Sequence, residues 1–126
     1  MRVLLDTVTF IWSLRSPDLI SRHSFSILEN DSTVRELSSI SVTEIAIKHS
    51  AKKLDLDRSA VLDGLRDLRV RVLPYSEQHA CRLFDVAVHH KDPFDRQIIA
   101  QALSENIPVV TPDTNFTQYR GLRTIW

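Results

Sequence analysis

The sequence predicts an α/β fold in which a short, mostly parallel sheet lies between two layers of helices. Short apolar runs alternate along the chain with longer segments whose apolar residues recur at helical spacing. This alternation is typical of parallel strands that helices cover on both faces. The chain has 126 residues, 43% of them hydrophobic, which is enough for one domain with its own core. We therefore predict a three-layer α/β/α architecture and a single domain over residues 1–126.

Two strands and four helices are predicted in the first half of the chain. Residues 3–5 are an apolar run suited to a buried strand, and residues 34–40 are predicted as the second strand. Helical spacing of apolar side chains predicts helices around residues 9–14, from Pro17 onward, over 42–53 and over 58–68. The side chains expected to face the core from the last three helices are Leu19, Ile20, Phe25, Leu28, Ile45, Ala46, Ile47, Val61, Leu62, Leu65 and Leu68.

The second half of the chain begins with a predicted strand at residues 70–73, which Pro74 ends. Ser76 is a suitable N-cap for a helix that we expect to reach residue 89. Asp92 is a suitable N-cap as well, because Pro93 fits the first position of a helix, here expected to end near residue 105. The remaining predicted elements are a strand at 109–111, a turn or short helix at 113–119 and a strand at 124–126.

The composition excludes several classes of protein. The 16 Lys and Arg residues balance 16 Asp and Glu residues, so a nucleic acid would have to be attracted by local patches or bound cations. Gly64 and Gly121 are the only glycines, which excludes the P-loop and the G-x-G-x-x-G dinucleotide motif. The lone cysteine, Cys81, is predicted as a small core residue and excludes both an internal disulfide and a thiolate zinc cluster.

Membrane insertion and export are not expected. No apolar run approaches the length needed to cross a bilayer, and the residues before Asp6 are too few for a signal peptide. A single cysteine also fits a reducing compartment. We therefore expect a cytoplasmic protein.

Acidic residues stand where strands should end or helices begin. Asp6 ends the first apolar run, Glu44 lies near the start of a helix, and Asp113 follows the fourth predicted strand. Asp92 and Asp95 fall in the first turn of a later helix. Open α/β sheets build their sites at this edge, and carboxylates gathered without matching bases predict a divalent metal. Such a metal can activate water and polarise a phosphoryl oxygen, which is the chemistry of phosphodiester hydrolysis.

Each acid also has a purely structural explanation. Asp92 is a suitable N-cap, Asp95 complements the helix dipole, and Asp113 can cap the turn that follows it. Glu44 can form an ion pair with the lysine four residues later on its helix. Asp6 is harder to explain in this way, because a charge that ends a buried strand needs a partner.

These acids belong to four blocks of sequence. The blocks are Leu4-Leu5-Asp6-Thr7-x-x-x-Ile11-Trp12, Ser41-Val42-Thr43-Glu44-Ile45-Ala46-Ile47-Lys48, Asp92-Pro93-Phe94-Asp95-Arg96 and Val110-Thr111-x-Asp113-x-x-Phe116. In this order they resemble the PIN domain, and in particular the VapC-type ribonuclease toxins of bacterial type II toxin–antitoxin modules. The resemblance implies a Mg²⁺- or Mn²⁺-dependent endoribonuclease whose metal ligands and catalytic residues are Asp6, Glu44, Asp95 and Asp113.

The same resemblance implies partners and shows one departure. It implies an RNA substrate, a homodimer, and a cognate antitoxin protein that occupies the acidic groove and inhibits the enzyme. Many relatives carry a histidine two positions after the first aspartate, where this chain has Val8. Any role of that histidine is therefore absent here.

Neighbouring residues are candidates for supporting roles. The polar candidates, which can hold carboxylates or waters by hydrogen bonds, are Thr7, Asp92, Thr111 and Asn115. Ordinary capping and turn chemistry explains them as well. The candidates for contact with substrate are Trp12, Lys48 and Arg96. Packing, a solvated helix face and an ion pair are the respective alternatives for these three.

Other functions remain open. A phosphatase of the haloacid-dehalogenase type also begins with an aspartate after the first strand, but its second aspartate is Val8 here. A housekeeping PIN nuclease of RNA processing would share the acids, and a non-enzymatic α/β partner-binding module would use them only as caps. His89 and His90 are expected to end a helix, and the five histidines predict no catalytic set.

Overall fold

The computed structural model describes residues 1–126 and confirms the predicted α/β architecture. The strands are β1 (Arg2–Leu5), β2 (Val34–Ser38), β3 (Val70–Leu73), β4 (Val109–Val110) and β5 (Thr124–Ile125). The helices are α1 (Thr7–Arg15), α2 (Arg22–Glu29), α3 (Ser39–Ser50), α4 (Arg58–Asp67), α5 (Glu77–Arg82) and α6 (Pro93–Glu105). All strands form one sheet in the order β3-β2-β1-β4-β5, and every neighbouring pair is parallel.

Helices cover both faces of this sheet. Side chains alternate along β1, so Leu4 packs with α6 while Val3 and Leu5 pack with Phe10 of α1 and Val61 of α4. Val3, Leu4 and Leu5 are almost completely buried, as expected for the central strand of a three-layer domain.

The carboxyl ends of β1, β2 and β4 lie side by side. Leu5 at the end of β1 is in register with Leu37 of β2 and with Val110 of β4. The backbone N–H of Asp6 extends this pairing by donating to the carbonyl of Val110 at 3.1 Å. Because the strands are parallel, the first residues after each of them share one edge of the sheet. That edge carries the candidate site.

Several predicted boundaries are wrong: the helix predicted at 42–53 is α3, and the strands predicted at 109–111 and 124–126 each end one residue earlier. Two further boundaries are wrong for local reasons. The strand predicted at 34–40 ends at Ser38, because the Ser38 side chain accepts a hydrogen bond from the N–H of Ile40 and starts α3. The helix predicted from Ser76 to residue 89 is capped by Ser76 but ends at Arg82, followed by a 3₁₀ turn at Leu83–Asp85. Val86 then leaves the helical path and is buried in the core, which stops the helix.

Several side chains expected in the core are exposed. Pro17 starts only a 3₁₀ turn, Pro17–Leu19, and a separate N-cap, Ser21, begins α2. On α3 the buried line runs through Ser41, Glu44 and Ile45, so the side chains that follow Ile45 point away from the core. The residues wrongly predicted to be buried are Leu19, Phe25, Ala46, Ile47, Leu62 and Cys81.

No helix of the structure is long and apolar enough to span a membrane. Glu36 of β2 carries a buried carboxylate, which is only 1% exposed. Its carboxylate accepts hydrogen bonds from Arg2 at 2.6 Å and from Arg71 at 3.2 Å. These two guanidinium groups compensate the charge and tie three neighbouring strands together.

Glu36→Leu is therefore expected to lower the free energy of unfolding by about 1–3 kcal/mol, because it removes the acceptor of three charged hydrogen bonds, two from Arg2 and one from Arg71. Glu29→Leu, an exposed acid at the end of α2, is the matched control and should change stability by less than about 0.5 kcal/mol. Urea unfolding followed by circular dichroism measures both variants. Equal stability of the two would contradict a structural role for Glu36.

Candidate functional site at the acidic edge

Five carboxylates lie at or near the carboxyl edge of the sheet, and together they are called the acidic edge: Asp6, Glu44, Asp92, Asp95 and Asp113. Asp6 is at its centre, between β1 and α1, and is only 4% exposed. One Asp6 oxygen accepts the N–H of Thr9 at 2.8 Å and so caps α1. The other accepts the hydroxyl of Thr111 at 2.6 Å, across from β4. Both carboxylate oxygens are therefore held in place by the protein.

Glu44 reaches the edge from the second turn of α3 and is buried. Its Oε1 accepts the Thr7 hydroxyl at 2.7 Å, and that hydroxyl lies 2.9 Å from the hydroxyl of Ser41. Its Oε2 is 2.5 Å from Nζ of Lys48, one helical turn later. Lys48 is thus an ion-pair partner of Glu44, and this hydrogen bond raises the pKa of the lysine.

Asp92 and Asp95 occupy the start of α6 in different ways. Asp92 is exposed and accepts the N–H groups of Phe94 and Asp95 at 2.9 and 3.0 Å, as an N-cap does. Asp95 lies one turn inside, and its Oδ2 is 3.3 Å from Nε2 of His90. Nδ1 of His90 is 2.6 Å from the hydroxyl of Tyr119, so this ring is held from both sides.

Asp113 completes the edge after β4. Its backbone N–H donates to the Thr111 hydroxyl at 3.0 Å, and its side chain accepts the N–H of Asn115 at 2.9 Å. Asp113 therefore caps the 3₁₀ turn Thr114–Gln118. The Asn115 side chain accepts a hydrogen bond from Gln118 at 3.2 Å within this turn.

The acids of this edge influence one another electrostatically. Burial raises the pKa of Asp6, the hydrogen bonds from Thr111 and Thr9 oppose the rise, and the charge of Asp113 adds to it. Burial, together with the charges of Asp92, Asp6 and Glu44, raises the pKa of Asp95 to about 7, against the opposing hydrogen bond from His90. Carboxylates shift one another in this way only when they lie close together.

A divalent cation fits the donor set of this edge. Hard oxygen ligands are those that Mg²⁺ and Mn²⁺ prefer, and a cation would relieve the repulsion that raises the pKa of Asp95. In the present arrangement, no three Asp, Glu, His or Cys side chains converge in positions to hold a metal ion. The carboxylate oxygens of Asp6 and Glu44 instead accept hydrogen bonds from groups within the protein. A bound cation would therefore have to bring the carboxylates of the acidic edge closer together.

The structure places the other candidates as follows. Thr7 and Thr111 hold carboxylates by hydrogen bonds, at Glu44 and Asp6 respectively. Arg96 donates to the carbonyl of Val86 at 3.0 Å. Trp12 packs beside Trp126, with 6.0 Å between ring centroids.

Sequence reasoning missed three residues of the edge, namely Ser41, His90 and Tyr119. The sequence predicts His90 at the end of a long helix, whereas α5 ends early and His90 lies in a loop that reaches Asp95. Its position just before the Asp92-Pro93 cap was the available signal. Tyr119 had no comparable signal, because its contact with His90 spans 29 positions of the chain.

The parallel sheet and the carboxylates at its carboxyl edge place this chain in the class of α/β domains that carry an acidic site. The family model of the PIN domain matches residues 3–122, so the chain belongs to the PIN domain family. PIN domains are generally nucleases. Among curated protein sequences, none matches this chain significantly.

Solved structures share the fold over nearly the full chain. VapBC2 from Rickettsia felis, bound to a DNA fragment of its promoter, matches with a TM-score of 0.76 at 16% identity and covers 99% of this chain and 98% of its own. DNA-bound VapBC from Salmonella typhimurium has a TM-score of 0.67 at 22% identity, with 99% and 97% covered. VapBC-5 from Mycobacterium tuberculosis, a member of a family of toxin–antitoxin systems, has a TM-score of 0.64 at 19% identity, with 98% and 97% covered.

Asp95→Asn is expected to stabilise the metal-free protein at neutral pH, because it removes a charge from a partly buried and acidic setting. The folded-state pKa of about 7 lies above the ordinary 3.8, so the wild-type carboxyl opposes folding increasingly as the pH rises between these values. The stabilisation by Asp95→Asn should therefore grow from about pH 4 to about pH 7 and stay constant above. Thermal melts of the wild type and the variant in chelator over this pH range measure the stabilisation. A difference in melting temperature that does not change with pH would contradict the raised pKa of Asp95.

Asp92 should behave differently because its role in the structure is that of a cap. Asp92→Ala is expected to cost about 1 kcal/mol of stability, whereas Asp92→Asn should cost little, since Asn caps a helix as well as Asp does. Chemical unfolding of both variants tests this. Equal losses in the two would argue that the charge of Asp92, and not its hydrogen bonds to the helix, stabilises α6.

Proposed function

We propose that the chain is a metal-dependent endoribonuclease of the VapC type, which works in the cytoplasm as the toxin of a toxin–antitoxin pair. The observation that carries the proposal is the mutual electrostatic influence of Asp6, Glu44, Asp95 and Asp113 at the carboxyl edge of a PIN fold. The solved VapBC structures support it, because they share this fold over nearly the whole chain.

In this proposal the metal ligands and catalytic residues are Asp6, Glu44, Asp95 and Asp113. A bound Mg²⁺ or Mn²⁺ supplies activation of water and polarisation of a phosphoryl oxygen. The protein's own residues orient the ligands: Thr9 N–H and the Thr111 hydroxyl fix Asp6, and the Thr7 hydroxyl fixes Glu44. His90 positions Asp95 in the same way through Nε2.

The charge of the edge also shapes how RNA approaches. Lys48 is the only lysine or arginine that forms an ion pair with an acid of the acidic edge. The chain as a whole has a formal net charge of zero. Phosphate would therefore be repelled from the metal-free edge. Metal binding both supplies the chemistry and removes this repulsion, so we expect RNA binding to depend on the metal.

A cognate antitoxin and a second copy of the chain are the proposed protein partners. VapBC-5, which shares this fold, is described as a member of a family of toxin–antitoxin systems, and this description supports an antitoxin partner. An antitoxin that brings a basic side chain to the acidic edge would compensate the same repulsion as a metal does, and would exclude metal and RNA. A housekeeping PIN nuclease, the second candidate, would carry the same edge and lack both growth arrest and an antitoxin.

Expression of the chain in a bacterial host is expected to arrest growth, and Asp6→Asn should abolish the arrest while keeping the fold. Asn retains the volume of Asp6 and much of its hydrogen bonding but removes one ligand charge. Asp63→Asn, an exposed acid of α4 outside the edge, is the matched control and should remain toxic. Full toxicity of a folded Asp6→Asn variant would remove Asp6 from the ligand set.

Mg²⁺ or Mn²⁺ is expected to raise the melting temperature, with an effect that grows with metal concentration by mass action. The same ions should be required for cleavage of RNA, and excess chelator should stop it. Asp95→Asn should reduce both the metal-induced shift in melting temperature and the cleavage rate. Cleavage at full rate after verified removal of metal would refute the proposed mechanism.

A further inference from the structure

Two indole rings pack together where α1 meets the carboxyl end of β5. Trp12 is in α1, the helix that Asp6 caps, and Trp126 directly follows β5. Their ring centroids are 6.0 Å apart and their planes are inclined by 57°. The two side chains are separated by almost the whole sequence, so the fold alone brings them together.

Backbone and side-chain hydrogen bonds connect this pair to Asp6. The N–H of Thr111 donates to the carbonyl of Ile125 at 3.1 Å, and the Thr111 hydroxyl donates to Asp6 at 2.6 Å. Trp126 is the next residue after Ile125 and therefore leaves the sheet at the same edge as Asp6 and Thr111. The indole pair is therefore joined to Asp6 through Thr111 and Ile125.

The indole pair keeps aromatic surface available for a ligand. Trp126 is 37% exposed, and Trp12 is half-buried. Each indole has the other as its only aromatic neighbour, and their tilted contact differs from face-to-face stacking. A planar group can therefore be added without displacing a stacked protein ring.

Three basic side chains on the helices that carry or follow acids of the acidic edge are bonded within the protein, whereas Lys91, next to Asp92, is exposed. Lys48 pairs with Glu44, Arg96 donates to the carbonyl of Val86, and Arg15 at the end of α1 donates to the carbonyl of Asp55. With a formal net charge of zero as well, the chain lacks the basic excess that usually supplies affinity for RNA. Affinity for an RNA strand must come largely from metal and from uncharged contacts.

We propose that Trp12 and Trp126 form a stacking site for one base of the RNA strand whose phosphate lies at the acidic edge. This inference rests on the proposed nuclease function and names the form of its substrate. A base can stack on an indole only when it is unstacked from its own neighbours, so the site selects single-stranded RNA. Because every base has a flat π-face, stacking gives affinity with little sequence preference.

The two tryptophans are the only ones in the chain, so their fluorescence reports this site directly. The probes are a short single-stranded oligoadenylate with hydrolysis-resistant phosphorothioate linkages and an abasic oligomer of the same length and linkage, both with Mg²⁺. The oligoadenylate should quench the fluorescence saturably, and the abasic oligomer should bind about tenfold more weakly without quenching. The proposal would be overturned if the abasic oligomer quenched the fluorescence as well and bound with the same affinity as the oligoadenylate.

Variants identify which ring takes part. Trp126→Ala should weaken oligoadenylate binding about tenfold, while Trp126→Tyr should retain most of it because tyrosine still offers a ring. Phe84→Ala removes another aromatic ring, 91% exposed and next to α5, and is the matched control that should change nothing. Unchanged binding by Trp126→Ala would also overturn the proposal. If that variant is unfolded, Trp126→Tyr and the quenching decide the matter.

Failure of the proposed function can be told apart from failure of this inference. Saturable quenching without any cleavage of RNA by the wild type would reject the nuclease proposal and support the base-stacking site. Metal-dependent cleavage without quenching would reject the stacking site and support the nuclease.

Discussion

The hydrogen bonds of the Asp6 carboxylate are the interaction on which the rest of the site depends. One oxygen caps α1 through Thr9, and the other accepts the hydroxyl of Thr111 beyond β4. A buried carboxylate is costly unless it is fully hydrogen-bonded, so these bonds are what allow a charge to follow the central strand of the sheet. They also fix α1 and the loop after β4 relative to each other, and these segments carry Thr7 and Asp113.

The acidic edge concentrates negative charge, whereas two carboxylates elsewhere in the sheet and helices are paired with basic side chains. Glu36 is buried among the strands but bonds to Arg2 and Arg71, and Glu105 bonds to His79 and Arg2, which lowers the pKa of Glu105. At the acidic edge the pKa values of Asp6 and Asp95 are raised instead. A lowered pKa marks a carboxylate whose charge is stabilised by the fold, whereas a raised pKa marks one whose charge is unfavourable where it lies. Raised pKa values of clustered carboxylates are typical of functional sites.

The hydrogen bonds of the acidic edge hold some of its carboxylates more firmly than others. Asp6 and Glu44 have both oxygens engaged by internal donors, whereas Asp95 has one close partner, His90. A cation would therefore meet two oriented carboxylates and one that is freer to move. The loop that carries His90 is irregular because α5 ends early, so the position of Asp95 depends on a segment that lacks helical hydrogen bonds.

The sequence by itself determined the order of strands and helices and the mostly parallel sheet, and it put acids where strands end or helices begin. These follow from local patterns: the apolar run before Asp6, the Asp92-Pro93 cap and the helical spacing that begins there are each contained within a few residues. It could not determine where short helices stop. The ends of β2 and α5 depend on the Ser38 cap and on the burial of Val86, and the exposure of Ile47 and Leu62 depends on which line of each helix meets the sheet.

Only the tertiary structure decided which side chains meet. The contacts of Thr111 with Asp6, of Tyr119 with His90 and of Trp126 with Trp12 join residues far apart in the chain. No local pattern encodes such contacts, because they arise from the packing of strands and loops that are distant in the sequence. The sequence therefore supplied the chemical groups of the site, and the packing of parallel strands supplied their neighbours and their pKa values.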